Sequence, residues 1–178
     1  MAVIASTDRL LIRDWTDDDA EAALAVYGTA DVAHWLSPAM ERVPDLTTMQ
    51  AILRAWVEAQ PNFIAPAGRW AIELKDTGKV VGGLLIRLLP PYEEDLEIGW
   101  QLAPSAWGHG YATEAGRALV RWAFKSGGTD ELYAVTRPKN DRAIATARRI
   151  GMEWVGETDK YYDLTLQVYR IRAADLDD

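Results

Sequence analysis

The chain contains no cysteine. That excludes a disulfide framework, thiolate zinc sites and a cysteine nucleophile. No apolar run approaches the ~18 residues that would span a bilayer, so no membrane partner is expected. The opening Met1-Ala2-Val3-Ile4-Ala5-Ser6 is too short and uncharged for a signal peptide. A reducing cytoplasm is the expected setting. Basic residues are scarce: 19 Lys and Arg stand against 27 Asp and Glu, a net charge of -8. Such a chain repels a phosphate backbone, which disfavours nucleic acid as a partner. It attracts cationic acceptors such as amines. No set of His, Asp and Glu has metal-ligand spacing, so no metal is expected.

What is present suits a globular domain. The 178 residues carry no repeat, low-complexity tract or long linker, so one domain over 1–178 is expected. Periodicity predicts strands at 7–15, 69–74, 80–89, 96–102, 131–136, 154–155 and 164–171. Helices are predicted over 16–27, 47–60, 112–125 and 140–150, with a loop over 28–45. Thr16-Asp17-Asp18-Asp19 is a helix start, a hydroxyl followed by acids in the positive first turn. Pro90-Pro91-Tyr92 ends one strand. The order is that of a mixed α/β (α+β) layer arrangement, not a repeating βα barrel.

The most informative stretch runs from Glu97 through Gln101, Leu102 and Ala103 to Trp107-Gly108-His109-Gly110-Tyr111-Ala112-Thr113. A strand enters a loop, and the loop opens a helix with glycines that let backbone approach a ligand. The first helical amides lack internal partners, and the dipole adds positive charge, so the turn suits a pyrophosphate. A P-loop needs Gly-Lys-Ser/Thr, whereas Gly110 is followed by Tyr111 and Ala112. A dinucleotide fingerprint needs a third glycine, where Thr113 stands. The remaining candidate is the pyrophosphate arm of coenzyme A.

At these residues the chain resembles the GCN5-related N-acetyltransferase superfamily, whose acetyl-CoA motif is Gln/Arg-x-x-Gly-x-Gly/Ala. Trp107 replaces the usual Gln or Arg, as in the branch that resembles ribosomal-protein-alanine N-acetyltransferases. Glu-Ile-Gly-Trp-Gln-Leu and Tyr-Ala-Thr-Glu-Ala are similar to that branch as well. The resemblance implies a mostly antiparallel central sheet flanked by helices, acetyl-CoA as cofactor, and a monomer or homodimer. It also implies a primary amine acceptor, either a small molecule or a protein N-terminus.

Further roles follow from the same resemblance. Asn140 would open the second helix of the motif and bond the pantetheine arm or nearby backbone, although Asn is a good helix cap whatever the function. Arg142, Arg148 and Arg149 meet nucleotide phosphates or coat a solvated face. Glu97 would relay the amine's proton through water; the alternative is a solvated or salt-bridged acid in Glu93-Glu94-Asp95-Leu96-Glu97. Members often place a Tyr or a Ser where this chain has Ala147 and Ala143, so the acid stays unassigned. Tyr161, Tyr162 and Tyr169 are expected to pack, and Trp70, Trp122 and Trp154 to lie in the core. His34, Trp35 and Trp100 are the candidates for the acceptor pocket. The two missing hydroxyls leave a second function open, a non-catalytic acyl-CoA-binding sensor.

Overall fold

The computed structural model describes residues 2–91 and 94–176. Tyr92 and Glu93, part of the expected strand break and acidic run, lie outside the described residues. Eight strands form one sheet: β1 (Val3–Ser6), β2 (Leu10–Asp14), β3 (Gly68–Leu74), β4 (Val80–Leu88), β5 (Leu96–Leu102), β6 (Glu131–Thr136), β7 (Glu153–Thr158) and β8 (Leu166–Arg172). Their spatial order is β1-β2-β3-β4-β5-β6-β8-β7. Every neighbouring pair is antiparallel except β5 and β6. The described residues also form α1 (Ala20–Tyr27), α2 (Ala30–Leu36), α3 (Leu46–Ala59), α4 (Tyr111–Ser126) and α5 (Asp141–Ile150). This is the mixed, mostly antiparallel arrangement expected. None of the described helices is long and apolar enough to cross a membrane.

The sheet is covered on both faces, so its central strand reads as an apolar run, with residues 80–86 of β4 all buried. Alternation sorts β3 between two cores. Trp70 and Ile72 join Leu119, Val120 and Ala123 of α4 on one face. Ala71 joins Tyr27 of α1 and Met49 and Leu53 of α3 on the other. Trp70 is 2% exposed and meets Trp122 edge-on, with centroids 5.2 Å apart.

Three elements differ from expectation. The first strand is two, β1 and β2, joined by a turn in which Leu10 donates its amide to the Thr7 hydroxyl. The supposed loop contains α2, seven residues long, too short to show helical periodicity. Trp154 is 55% exposed because β7 is the sheet edge; its indole N–H donates to Gln167.

The position of the site follows from one irregularity in pairing. Strand β5 is in register with β4 along its whole length, from Gly82–Leu102 to Leu88–Leu96. Strand β6 is likewise paired with β8. Between them, among the described residues, β5 and β6 meet in parallel at Glu97 and Tyr133 alone. Beyond that point residues 98–102 and 134–136 line a shared cavity.

Candidate active site

The cavity between the parted strands has a volume of about 350 Å³, within the range of small-molecule sites. Its floor is a single face of the sheet. Arg87 opposes Glu97, Leu85 opposes Gly99, and Gly83 opposes Gln101. Directly opposed residues share a face, so Glu97, Gly99 and Gln101 all look into the same space. Trp35 of α2 and Trp56 of α3 line the side toward the first helices. Trp107, Ala112 and Asn140 line the side toward α4 and α5.

Glu97 is buried and fully engaged. It accepts from Arg87 Nε at 3.1 Å and from the Tyr162 hydroxyl at 2.8 Å. Arg87 Nη2 also donates to the Tyr162 oxygen at 2.5 Å, closing a triangle. Burial raises the Glu97 carboxyl above its ordinary pKa, opposed by Arg87 and by the Tyr162 hydrogen bond. Burial and the nearby Glu97 charge raise the Tyr162 hydroxyl well above its usual value, so it stays a donor. The result is a carboxyl that is more basic than a solvated one, with two partners that favour its charged form. Tyr162 holds its place with φ 56°, in the left-handed region. Backbone strain of this kind concentrates at functional sites.

A second lock orders the floor. Tyr27 donates to Gln101 Oε1 at 3.0 Å, and burial pushes the tyrosine up to about 12. A Cβ at Gly83 would lie 2.4 Å from that hydroxyl, so glycine is required there.

At the other end the chain turns into α4. Gly108 and Gly110 have φ of 84° and 79°, and Gly110 is the N-cap, with no side chain to cap the helix. The amides of Tyr111, Ala112 and Thr113 open the helix and meet no cap. A Cβ at Gly108 would find nothing within 4 Å, which leaves the outer face of the turn open. Arg9 braces this turn from below. It bonds the His109 carbonyl at 2.9 Å and Glu114 at 2.8 Å, and lies over the Tyr111 ring. The His109 ring is exposed and stacks on Tyr111, centroids 5.3 Å apart. The Trp107 indole donates to the Leu102 carbonyl at 3.1 Å, and the Arg142 guanidinium lies 3.5 Å from its ring centroid.

The expected residues divide as follows. Glu97, Trp100, Gln101, Leu102, Trp107, Ala112, Asn140 and Trp35 line the one cavity. Gly108, His109, Gly110, Tyr111 and Thr113 form the helix opening beside it. Ala103 is buried in the core and donates its amide to Val81. His34 does not line the cavity; it is exposed on α2 and meets the Trp35 ring edge-on. Asn140 caps α5 through Ala143 and also lines the cavity, so its two readings coexist. Arg148 and Arg149 are exposed on α5, while Arg142 reaches the cavity. Tyr162, Arg87 and Arg69 were not foreseen as site residues. The only signal for Arg87 was its place on an otherwise apolar strand.

A splayed strand pair, a buried carboxylate and an uncapped helix opening together define a class of site, one with room for an extended anion beside a group able to accept a proton. A family model described as an acetyltransferase (GNAT) domain matches residues 9–153. The chain belongs to that family and is an acetyltransferase. It is 27% identical over 162 residues to the uncharacterized N-acetyltransferase YoaA of Bacillus subtilis, covering 90% of this chain and 89% of that one. A GNAT-family acetyltransferase from Bacillus anthracis superposes with a TM-score of 0.79 at 22% identity, covering 96% and 98% of the two chains. The ribosomal L7/L12 alpha-N-protein acetyltransferase RimL, solved in complex with coenzyme A, gives 0.78 at 17% identity, covering 98% and 100%.

Proposed function

We propose that the protein, as a single cytoplasmic domain, transfers an acetyl group from acetyl-CoA to a primary amine. The observation that carries this is Glu97, buried and held by Arg87 and Tyr162, on the floor of a cavity whose far end is the uncapped opening of α4. The coenzyme A in the RimL complex supports the choice of donor.

The residues present fit such a donor. The amides from Gly108 to Thr113 suit its pyrophosphate, since unpaired helix-opening amides and the dipole favour anions. The edge of β5 beyond Glu97, up to Leu102, faces the gap left by β6 and suits the amides of an extended pantetheine arm, whereas Ala103 has its amide on Val81 and its carbonyl on Ala106. Asn140, Trp107 and Arg142 close the opposite wall. Acetyl-CoA supplies an activated acyl carbon whose C–S bond is exchanged for a C–N bond.

The chain's own work is small. An amine attacks only when neutral, so one proton must leave it; Glu97 takes that proton, directly or through one water. Tyr162 and Arg87 hold the carboxylate in place and in its charged form. The leaving thiolate, of pKa near ~8.5, takes its proton from solvent. Trp35 and Trp100 shape the acceptor end. His34, outside the cavity, has no part in this reading.

Free-thiol release from acetyl-CoA with a panel of amines tests the reading. Release that depends on the amine and collapses in Glu97→Gln supports it. Tight acetyl-CoA binding with no release for any amine supports the acyl-CoA sensor instead, the reading that Ala143 and Ala147 keep open.

A further inference from the structure

The charge of the cavity is opposite to that of the molecule. The chain carries -8 overall, yet the cavity lining holds Arg69, Arg87, Arg137 and Arg142 against Asp31 and Glu97. Two of these arginines are committed. Arg87 serves Glu97 and Tyr162. Arg137 donates through Nη2 to the Ser37 carbonyl, tying the end of β6 to the segment after α2, while its buried Nε has no hydrogen-bond partner among the described residues. Arg142 is exposed over Trp107, where water can serve it.

Arg69 is different. It is half-buried, and its guanidinium makes no hydrogen bond or ion pair among the described residues. It stacks on Trp56 at 4.6 Å, and its backbone amide is fixed by Gln60 at 3.0 Å. Burial lowers its pKa below the usual arginine value. Arg69 opposes Leu85, and Leu85 opposes Gly99, so it shares the sheet face of Glu97. Leu85 stands between them on β4 and leans over Gly99, an apolar floor that carries no competing charge. A partly buried guanidinium held by stacking, with no hydrogen-bonding partner in the protein, is free to pair with an anion that enters the cavity. A planar guanidinium matches the two oxygens of a carboxylate in a bidentate pair, as it does those of a phosphate, and a single charge suits one arginine that shares its cavity with Glu97. The same cavity offers aromatic surface from Tyr27, Trp35, Trp56 and Tyr162, and Arg87 and Glu97 are its charged neighbours.

We propose that the acceptor is a zwitterionic amino compound, an amine that also bears a carboxylate and an apolar or aromatic side chain. Arg69 pairs with the carboxylate, and Glu97 faces the amine. This rests on the acetyl-transfer reading and deepens it. It also reverses the expectation drawn from net charge, because a polyamine would meet four arginines in the cavity.

The test compares each apolar amino acid with its carboxamide and its decarboxylated amine, following thiol release from acetyl-CoA. Amidation lowers the amine's pKa and so favours the neutral attacking form, which biases the comparison against the proposal. The expected result is a kcat/KM at least about tenfold higher for the best amino acid than for its amide. Arg69→Gln abolishes that preference through KM, with acetyl-CoA affinity unchanged and a single cooperative melting transition retained, and Arg69→Lys restores part of it. Amides, polyamines or aminoglycosides preferred over amino acids overturn the proposal, as does an equal loss for all acceptors in Arg69→Gln. Calorimetric titration of the coenzyme A complex with the same amino acids and amides separates the two readings. Amino-acid binding that needs Arg69, without thiol release, removes acetyl transfer and keeps the anion reader. Thiol release confined to acceptors without a carboxylate keeps acetyl transfer and removes the anion reader. Neither binding nor turnover of any amino carboxylate also removes it.

Discussion

Two opposing influences set the proton affinity of Glu97: burial raises it, while Arg87 and Tyr162 lower it. A base must be unprotonated to act, so kcat/KM should rise with pH through the Glu97 pKa and reach a plateau. Glu97→Gln removes the acceptor without much change in shape. Turnover should fall about 10²–10⁴-fold, with acetyl-CoA affinity nearly unchanged; equal turnover in a single-turnover assay would remove Glu97 from the role of base. Tyr162→Phe deletes a hydrogen bond to the charged carboxylate and therefore raises its pKa further. The acidic limb of the pH profile should move to higher pH; a limb that stays put would make Tyr162 mere packing. Glu97 was legible because it lies on the strand leading into the glycine turn. Tyr162 was not, since its role depends on a left-handed backbone and a partner 65 positions away. Arg69 was invisible for the same reason: a strand arginine is ordinarily solvated, and nothing local says that Trp56 will cover it.

At the scale of elements, the opening of α4 is a conformation before it is a set of side chains. Gly110 needs φ 79°, which costs a residue with a Cβ about 1–2 kcal/mol. Gly128, past the end of α4, has a similar φ of 81° and open space around it. Gly110→Ala and Gly128→Ala should therefore lose comparable stability in urea unfolding. Only Gly110→Ala should also weaken coenzyme A binding, because only there do displaced amides face the ligand. Equal affinities in the two variants would detach the helix opening from the cofactor. The long amphipathic elements α3, α4 and α5 were readable from period and caps, and so was the strand-turn-helix order around residues 96–125. Helix α2 was not, with seven residues flanked by Gly28 and Pro38. Strand β1 was not, because four half-exposed edge residues carry no clear alternation. Both misses concern pieces held by tertiary contact rather than by their own sequence.

On the scale of the whole molecule, composition and cavity give opposite signs, and the cavity governs recognition. A net charge averages over the surface, whereas binding samples the few side chains that the parting of β5 and β6 brings together. That parting is a property of pairing across the sheet, and no local pattern in either strand announces it. Ligand binding to the folded state alone stabilises the whole chain by mass action. Coenzyme A at ~100 times its Kd should add about 2.7 kcal/mol. For a chain of this length each kcal/mol moves Tm by roughly 2–4 °C, so a rise of about 5–11 °C is expected. Glu97→Gln should show the full rise, since it leaves the α4 opening intact, and Gly110→Ala a smaller one. ATP at the same concentration should shift Tm little, because the turn after Trp107 has no phosphate lysine. A shift from ATP equal to that from coenzyme A would mean that the cavity reads a nucleotide rather than the extended arm beyond it.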